Sequence, residues 1–268
     1  MKPPLPICDC HGHFGVHPDF PAYAQTAEDL VAVMDLLGIE LLAVTSTLAC
    51  YSDCPRGNAE VAALLEKYPT RFRGYVTVNP NPPGEALAEL QRWKRFHTPP
   101  LIKLHPDLHH YPVDGPHYRP VWEHANQTRA VVLVHTWESD PNCGPLLLAP
   151  VARQFPQARI ILGHSGVTWR GYEQAVEAAQ AASNLFLDIS GSQSHRTVIE
   201  WMTERLGADR VLFGSDLPYL EAATSLGRVL AARLAQAEKE KILRTNFLCL
   251  LEEFGVPSAR SGSATEAR

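Results

Sequence analysis

Residues 130–164, AVVLVHTWESDPNCGPLLLAPVARQFPQARIILGH, contain one complete β-α-β unit. The runs Ala130–His135 and Arg159–His164 are short, aliphatic and rich in β-branched residues, which predicts two buried strands. The segment Leu146–Phe155 between them has the apolar spacing of a helix. A strand, a helix and a second strand in this order predict two parallel strands joined by a helical crossover.

The same alternation extends over most of the chain. Eight strands are predicted, at 5–11, 40–46, 72–78, 100–105, 130–135, 159–164, 184–190 and 210–216. Helices are predicted between them, the first with its N-cap at Thr26 and the last two at 222–235 and 239–254. Strands that are apolar throughout are typical of sheets covered on both faces, and eight such units predict an α/β fold closed into a (β/α)8 TIM barrel. An open doubly wound sheet is the alternative, disfavoured because no glycine-rich phosphate loop follows the first strand.

Composition is that of one ordinary globular domain. The 268 residues, 45% of them hydrophobic, predict a single barrel domain over 1–257 and a small, polar, disordered tail over 258–268. The net charge is −5 and the basic residues are scattered, so no nucleic-acid partner is predicted. No apolar run suits a signal peptide or a membrane span, and six cysteines are too few for a disulfide framework. We therefore expect a cytoplasmic protein without a membrane partner, and the sequence leaves an assembly of identical chains open.

Chemically active side chains lie at the C-terminal ends of six of the predicted strands. They are His11 and His13 on the first, Lys103 and His105 on the fourth, His135 on the fifth, His164 on the sixth, Asp188 on the seventh and Asp216 on the eighth. A single buried histidine is usually a core residue with a satisfied hydrogen bond. Histidines at four separate strand ends are poorly explained in that way, since this end of a β/α barrel carries the active site.

The H-x-H spacing predicts a metal site. Side chains two apart on a strand share a face, so His11 and His13 can reach one ion, whereas Cys8 and Cys10 point the opposite way. A catalytic zinc ion needs about three protein ligands and an open position for water. The predicted ligands are His11, His13, His135 and Asp216. We expect one divalent ion per chain, zinc by preference, with manganese or another divalent ion as the alternative.

With these motifs in place, the sequence resembles the amidohydrolase superfamily, in particular its amidohydrolase family 2 branch. The resemblance rests on DCHGH, IKLHP, VLVHT, ILGHSG, NLFLDIS and RVLFGSDLP, in the family's order over about residues 7–250. It implies that His11, His13, His135 and Asp216 hold the metal, and that His164 binds a second metal or assists catalysis.

Two positions on the fourth strand have more than one interpretation. Some members of the family carboxylate a lysine on this strand, which then bridges two metals, and Lys103 is a candidate for that role. Its alternatives are binding a substrate carboxylate or forming an ion pair in the barrel. His105, on the same face of the strand, either contacts the substrate or packs against the loop 106–115.

The leading functional prediction is hydrolysis of a small acyl compound, such as a lactone, ester, amide or cyclic amide. A metal-bound water would be the nucleophile, Asp216 would take its proton and His164 would stabilise the oxyanion. The alternative is non-oxidative decarboxylation of a small aromatic or unsaturated carboxylic acid, which would use the same metal ligands. A non-catalytic metal-binding protein is disfavoured because every predicted ligand position carries a competent side chain.

Overall fold

The computed structural model describes residues 5–19, 21–82, 84–94 and 101–252, and they form the predicted barrel. One sheet holds eight parallel strands in sequence order. The strands are β1 (Ile7–Phe14), β2 (Ile39–Ser46), β3 (Phe72–Thr77), β4 (Leu101–Leu104), β5 (Val131–His135), β6 (Arg159–Gly163), β7 (Leu185–Asp188) and β8 (Val211–Leu212). The predicted tail, 258–268, lies outside the described residues.

The helices lie between the strands and after β8. They are α1 (Ala27–Leu37), α2 (Thr47–Tyr51), α3 (Cys54–Lys67), α4 (Glu85–Trp93), α5 (Arg119–Thr128), α6 (Leu148–Gln154), α7 (Trp169–Ala181), α8 (Arg196–Leu206), α9 (Ala222–Ala231), α10 (Gln236–Glu240) and α11 (Asn246–Glu252). Helix α1 begins as predicted, because Thr26 and Asp29 form a reciprocal capping box. Helix α2 was not predicted, and a π-helical turn at Lys241–Thr245 divides the last predicted helix. None of the described helices is long and apolar enough to cross a membrane.

The barrel closes between β8 and β1, where the chain departs from the prediction. Only Val211–Leu212 of the predicted strand 210–216 has regular strand geometry. Beyond it the main chain turns to pair with β1: Cys10 N–H donates to the Phe213 carbonyl at 2.9 Å, and Asp216 N–H donates to the His11 carbonyl at 2.9 Å. Asp216 has a φ of 64°, in the left-handed region that non-glycine residues rarely adopt. These bonds place Asp216 beside the histidines of β1.

Strand β1 extends further than predicted and is irregular. Its pairing with β2 shifts register between Asp9 and Gly12, which marks a β-bulge or a similar irregularity. Cys8 and Cys10 pack with Leu41, Leu133 and other residues in an apolar cluster inside the barrel. Strict alternation would turn His11 away from that interior, and the irregularity corrects its direction. Such irregularities commonly re-aim side chains near active sites.

Candidate active site and metal centre

A cavity of about 330 Å³ opens at the C-terminal end of the strands. Of the residues predicted to carry function, His13, His105, His135, His164 and Asp216 line it. This is the end of the barrel where TIM-barrel enzymes carry their active sites.

At the floor of the cavity, two histidines of β1 meet Asp216. Asp216 Oδ1 lies 3.0 Å from His13 Nε2 and 3.6 Å from His11 Nε2. This oxygen is buried, yet no donor among the described residues meets it with hydrogen-bond geometry. The ligand atoms of His11, His164 and Asp216 all lie within 4.8 Å of one another. A buried carboxylate oxygen surrounded by imidazole nitrogens is an arrangement that a divalent cation would satisfy.

The ring of His11 is fixed from behind by Asp188. Asp188 Oδ2 lies 2.6 Å from His11 Nδ1, and both side chains are fully buried. This contact directs His11 Nε2 towards Asp216. A carboxylate behind a histidine is the usual support for a metal ligand, because it fixes the tautomer and the ring orientation.

Burial sets the protonation states of this cluster. Removal from water lowers the pKa of His11, His13 and His164, so their imidazoles are neutral at pH 7. Burial alone would raise the pKa of Asp216, but the adjacent His164 and His13 hold it well below the usual range of a carboxyl. Neutral imidazoles and an ionised carboxylate are the forms that bind divalent metals, so these residues fit such an ion.

His135 occupies a neighbouring position rather than the centre of this cluster. Its ring stacks on His105 with centroids 4.1 Å apart, and its edge meets His164 at 4.8 Å. The ligand atoms of His105, Asp107 and His135 form a second group within 4.8 Å of one another. The structure thus brings together His11, His13, His164 and Asp216, and it connects His135 to them through His164.

Lys103 lies beneath the cavity, against the cluster of His11, His13, His164 and Asp216. Its Nζ is 3.1 Å from His11 Nε2, the nitrogen that faces Asp216, and its side chain is buried. Burial lowers the pKa of Lys103 below the ordinary value of a lysine. This position is compatible with a carboxylated bridge between two metals and with a cation that binds a substrate carboxylate, so it does not decide between these two predicted roles.

Several lining residues were missed from the sequence, among them His17, Cys50 and Tyr51. Tyr51 and Cys50 belong to α2, which directly follows β2, and His17 follows β1 by three residues. Their positions could have indicated this role, because every segment that follows a barrel strand begins at the mouth of the barrel. Tyr219 lines the cavity and stacks on His13, with ring centroids 4.2 Å apart. Trp169 is not among the lining residues and packs against Trp201, with ring centroids 5.1 Å apart.

The closed parallel barrel and the histidine–aspartate cluster at its mouth define a TIM-barrel enzyme of the metal-dependent amidohydrolase class. The sequence model of the amidohydrolase family matches residues 8–246, and the chain belongs to this family.

The proteins similar to this chain include three decarboxylases of aromatic acids. The γ-resorcylate decarboxylase of Rhodococcus jostii (strain RHA1) is 26% identical over 251 residues, which cover 74% of this chain and 75% of that protein. The crystal structure of 2,6-dihydroxybenzoate decarboxylase from Rhizobium superposes with a TM-score of 0.75 at 19% identity, covering 93% of this chain and 99% of that one. The dihydroxybenzoic acid decarboxylase of Polaromonas sp. JS666, solved with manganese and the inhibitor 2-nitroresorcinol, gives a TM-score of 0.73 at 18% identity, with 92% and 97% covered.

These comparisons correct the leading functional prediction. Hydrolysis was expected, but the similar proteins are decarboxylases of aromatic acids, in agreement with the alternative. The expectation of a divalent metal agrees with the manganese in the Polaromonas structure, whereas the preference for zinc has no support among them. Sequence alone could not separate the two reactions, because the same ligand set serves both.

Proposed function

We propose that this protein is a metal-dependent, non-oxidative decarboxylase of a small aromatic or unsaturated carboxylic acid. The metal site that the proposal needs is supported by the convergence of His11 and His13 on Asp216 Oδ1, at the floor of a cavity walled by aromatic rings. The choice of decarboxylation over hydrolysis is supported by the similarity to decarboxylases of aromatic acids. The cavity of about 330 Å³ is at the small end of the range for ligand pockets, which suits a single substituted ring.

The proposed ligands of the metal are His11, His13, His135 and Asp216. A bound divalent ion would supply positive charge to a substrate carboxylate and to an adjacent oxygen. Zinc and manganese both accept this donor set, so reconstitution with each ion decides between them. We propose one ion per chain, with Lys103 uncarboxylated and available to a substrate anion. Two ions per chain in the presence of bicarbonate, falling to one in Lys103→Ala, would contradict that count.

The reaction requires one proton and no oxidant. The ring carbon that carries the carboxylate takes a proton, the C–C bond breaks with its electron pair returning to the ring, and carbon dioxide leaves. In the proposed mechanism, His164 is neutral at rest, takes up a proton from solvent and delivers it across the cavity to this carbon. Asp216 is held ionised and can accept the proton of a substrate hydroxyl and return it.

The walls of the cavity support recognition of an aromatic monocarboxylate. Tyr51, Trp137 and Tyr219 offer ring faces and edges. Among the described residues that line the cavity there is no lysine or arginine. A substrate carboxylate would therefore be neutralised at the floor, where Lys103 and the metal ligands lie, rather than at the wall.

The test is direct. Protein reconstituted with manganese or zinc is incubated with 2,6-dihydroxybenzoate and a panel of other hydroxybenzoates, and carbon dioxide and the decarboxylated product are measured. In D2O, we expect one deuterium at the carbon that carried the carboxylate, and no turnover in Asp216→Ala. Absence of carbon dioxide from every acid in the panel, with release of acid from lactones or esters, would contradict the proposal.

A further inference from the structure

Ser190 lies two residues beyond β7, fully buried between the rings of His11 and His164. Its Oγ is 2.6 Å from Asp188 Oδ2, 2.9 Å from His164 Nδ1 and 3.2 Å from His11 Nδ1. The sequence marked Ser190 only as the last residue of the seventh strand. One hydroxyl group therefore contacts both histidines and the carboxylate that supports them.

We propose that Ser190 is a positioning residue, which holds His164 in the tautomer protonated at Nδ1 and so presents an unprotonated Nε2 to the cavity. The inference rests on the proposed function only for the role of His164 in turnover. The tautomer itself follows from the hydrogen bonds and can be measured without any substrate.

The hydrogen bonds leave one consistent assignment. A serine hydroxyl has a single proton, and Asp188 Oδ2 at 2.6 Å is an acceptor, so Ser190 donates to Asp188. Burial raises the pKa of Asp188, but its carboxyl also receives main-chain N–H groups from Ser190 at 2.8 Å and from His164 at 3.2 Å. The Ser190 hydroxyl and these two N–H groups all donate to the carboxyl of Asp188, so this carboxyl is the ionised carboxylate.

Because its one proton is donated to Asp188, Ser190 Oγ can only accept any further hydrogen bond. His11 Nδ1 is closer to Asp188, at 2.6 Å, and donates there. The donor left for Ser190 is His164 Nδ1 at 2.9 Å, so His164 carries its proton on Nδ1. In a neutral imidazole the other nitrogen is then an acceptor, ready to take up the proton that the reaction consumes.

Both the ring and the main chain of His164 depend on this support. His164 has a φ of 62°, in the left-handed region, and its N–H is held by Asp188. The Ser190 N–H that binds Asp188 Oδ1 does not involve the hydroxyl, so Ser190→Ala keeps the turn and loses only the contacts of Oγ. Ser165→Ala is the matched control, because Ser165 is equally buried and its hydroxyl donates to the main-chain carbonyl of Asp188 at 2.8 Å rather than to a histidine ring.

Long-range 1H–15N spectra of histidine-labelled, zinc-loaded protein report the tautomer, with the His164 signals identified from their loss in His164→Gln. We expect Nδ1 protonation in the wild type and in Ser165→Ala, and a mixture of tautomers in Ser190→Ala. We also expect kcat in Ser190→Ala to fall about 10- to 100-fold, the usual cost of losing an outer support, with KM and metal content within twofold of the wild type.

Two results would overturn the inference. A wild-type His164 protonated at Nε2 would do so whether or not the protein is a decarboxylase. An unchanged tautomer in Ser190→Ala, with turnover reduced only in proportion to bound metal, would show that the hydroxyl acts through His11 instead. A protein that shows the expected tautomer but decarboxylates no acid would contradict the proposed function and leave the role of Ser190 in place.

Discussion

At the scale of single residues, one carboxylate oxygen organises the site. Asp216 Oδ1 faces the Nε2 atoms of His11 and His13, and it is reached only because Asp216 adopts a left-handed backbone conformation. The residues that form the site could be predicted from their positions at the strand ends, because the active site in this fold lies there. Which of His135 and His164 lies nearer Asp216 and the histidines of β1 could not be predicted, since both end neighbouring strands and their distances depend on side-chain packing.

The two histidines are distinguished by replacing each with alanine. If His135 is a ligand and His164 a proton carrier, His135→Ala loses most of the bound metal, whereas His164→Ala keeps one ion per chain and loses turnover at least a hundredfold. Metal content after gel filtration, with kcat measured on the same samples, checks both. The reverse pattern would exchange the two roles and match the grouping of His164 with His11 and Asp216.

At the scale of elements, long periodic segments could be predicted and close main-chain contacts could not. The start of α1 follows from Thr26 and Asp29, two local side chains. The turn at Asp216 and the segment that leads into it depend on contacts with β1, about 200 positions away along the chain. Asp9 illustrates this, since its Oδ1 accepts N–H groups from His11 and from Ser215. No periodicity within either segment encodes such a pairing.

Loss of the α1 cap gives a prediction at this scale. The Thr26 hydroxyl accepts the N–H of Asp29, and the Asp29 carboxylate accepts the N–H of Thr26. Thr26→Ala should lower the free energy of unfolding by about 1 kcal/mol, whereas Thr26→Ser should be nearly neutral. Urea denaturation of the three proteins measures the difference. Equal midpoints for the alanine and serine variants would mean that the capping bond contributes nothing.

Close packing between the ends of β7 and β8 gives a second prediction at the scale of elements. A Cβ at Gly214 would lie 2.0 Å from Asp188 Oδ1 and 3.0 Å from His11 Cβ. Gly214→Ala should therefore displace Asp188, lower the free energy of unfolding by about 1–3 kcal/mol and weaken metal binding. Gly227→Ala, in helix α9 with open space around the new methyl group, is the matched control and should be neutral or slightly stabilising. Wild-type metal affinity in Gly214→Ala would show that the carboxylate can move without disturbing His11.

At the scale of the whole molecule, the fold and the family followed from the sequence, and the reaction did not. Alternating strands and helices predict the barrel, and six motifs in order predict the amidohydrolase family, which the match over 8–246 confirms. The ligand set is shared by hydrolases and decarboxylases, so it carries little information about the bond that is broken. That information lies in the cavity wall, which includes residues of α2 and of the segment after β1 that no sequence motif marked.

A bound metal ion should also stabilise the folded molecule. The proposed ligands come from β1, β5 and the segment after β8, so an ion bound only by the folded barrel links distant parts of the chain. Metal at 100 times its Kd should add about 2.7 kcal/mol to the free energy of unfolding, and Tm should rise by several degrees.

The apolar interior should keep the metal-free protein folded, because barrel stability comes mainly from packed side-chain layers. His13→Ala should accordingly retain the wild-type far-ultraviolet circular dichroism while its Tm no longer responds to manganese or zinc. Calorimetry with and without metal, in both proteins, gives the comparison. A wild type that unfolds on chelation at room temperature would assign the ion a structural role, and a metal-dependent rise in Tm that survives in His13→Ala would place the ion elsewhere.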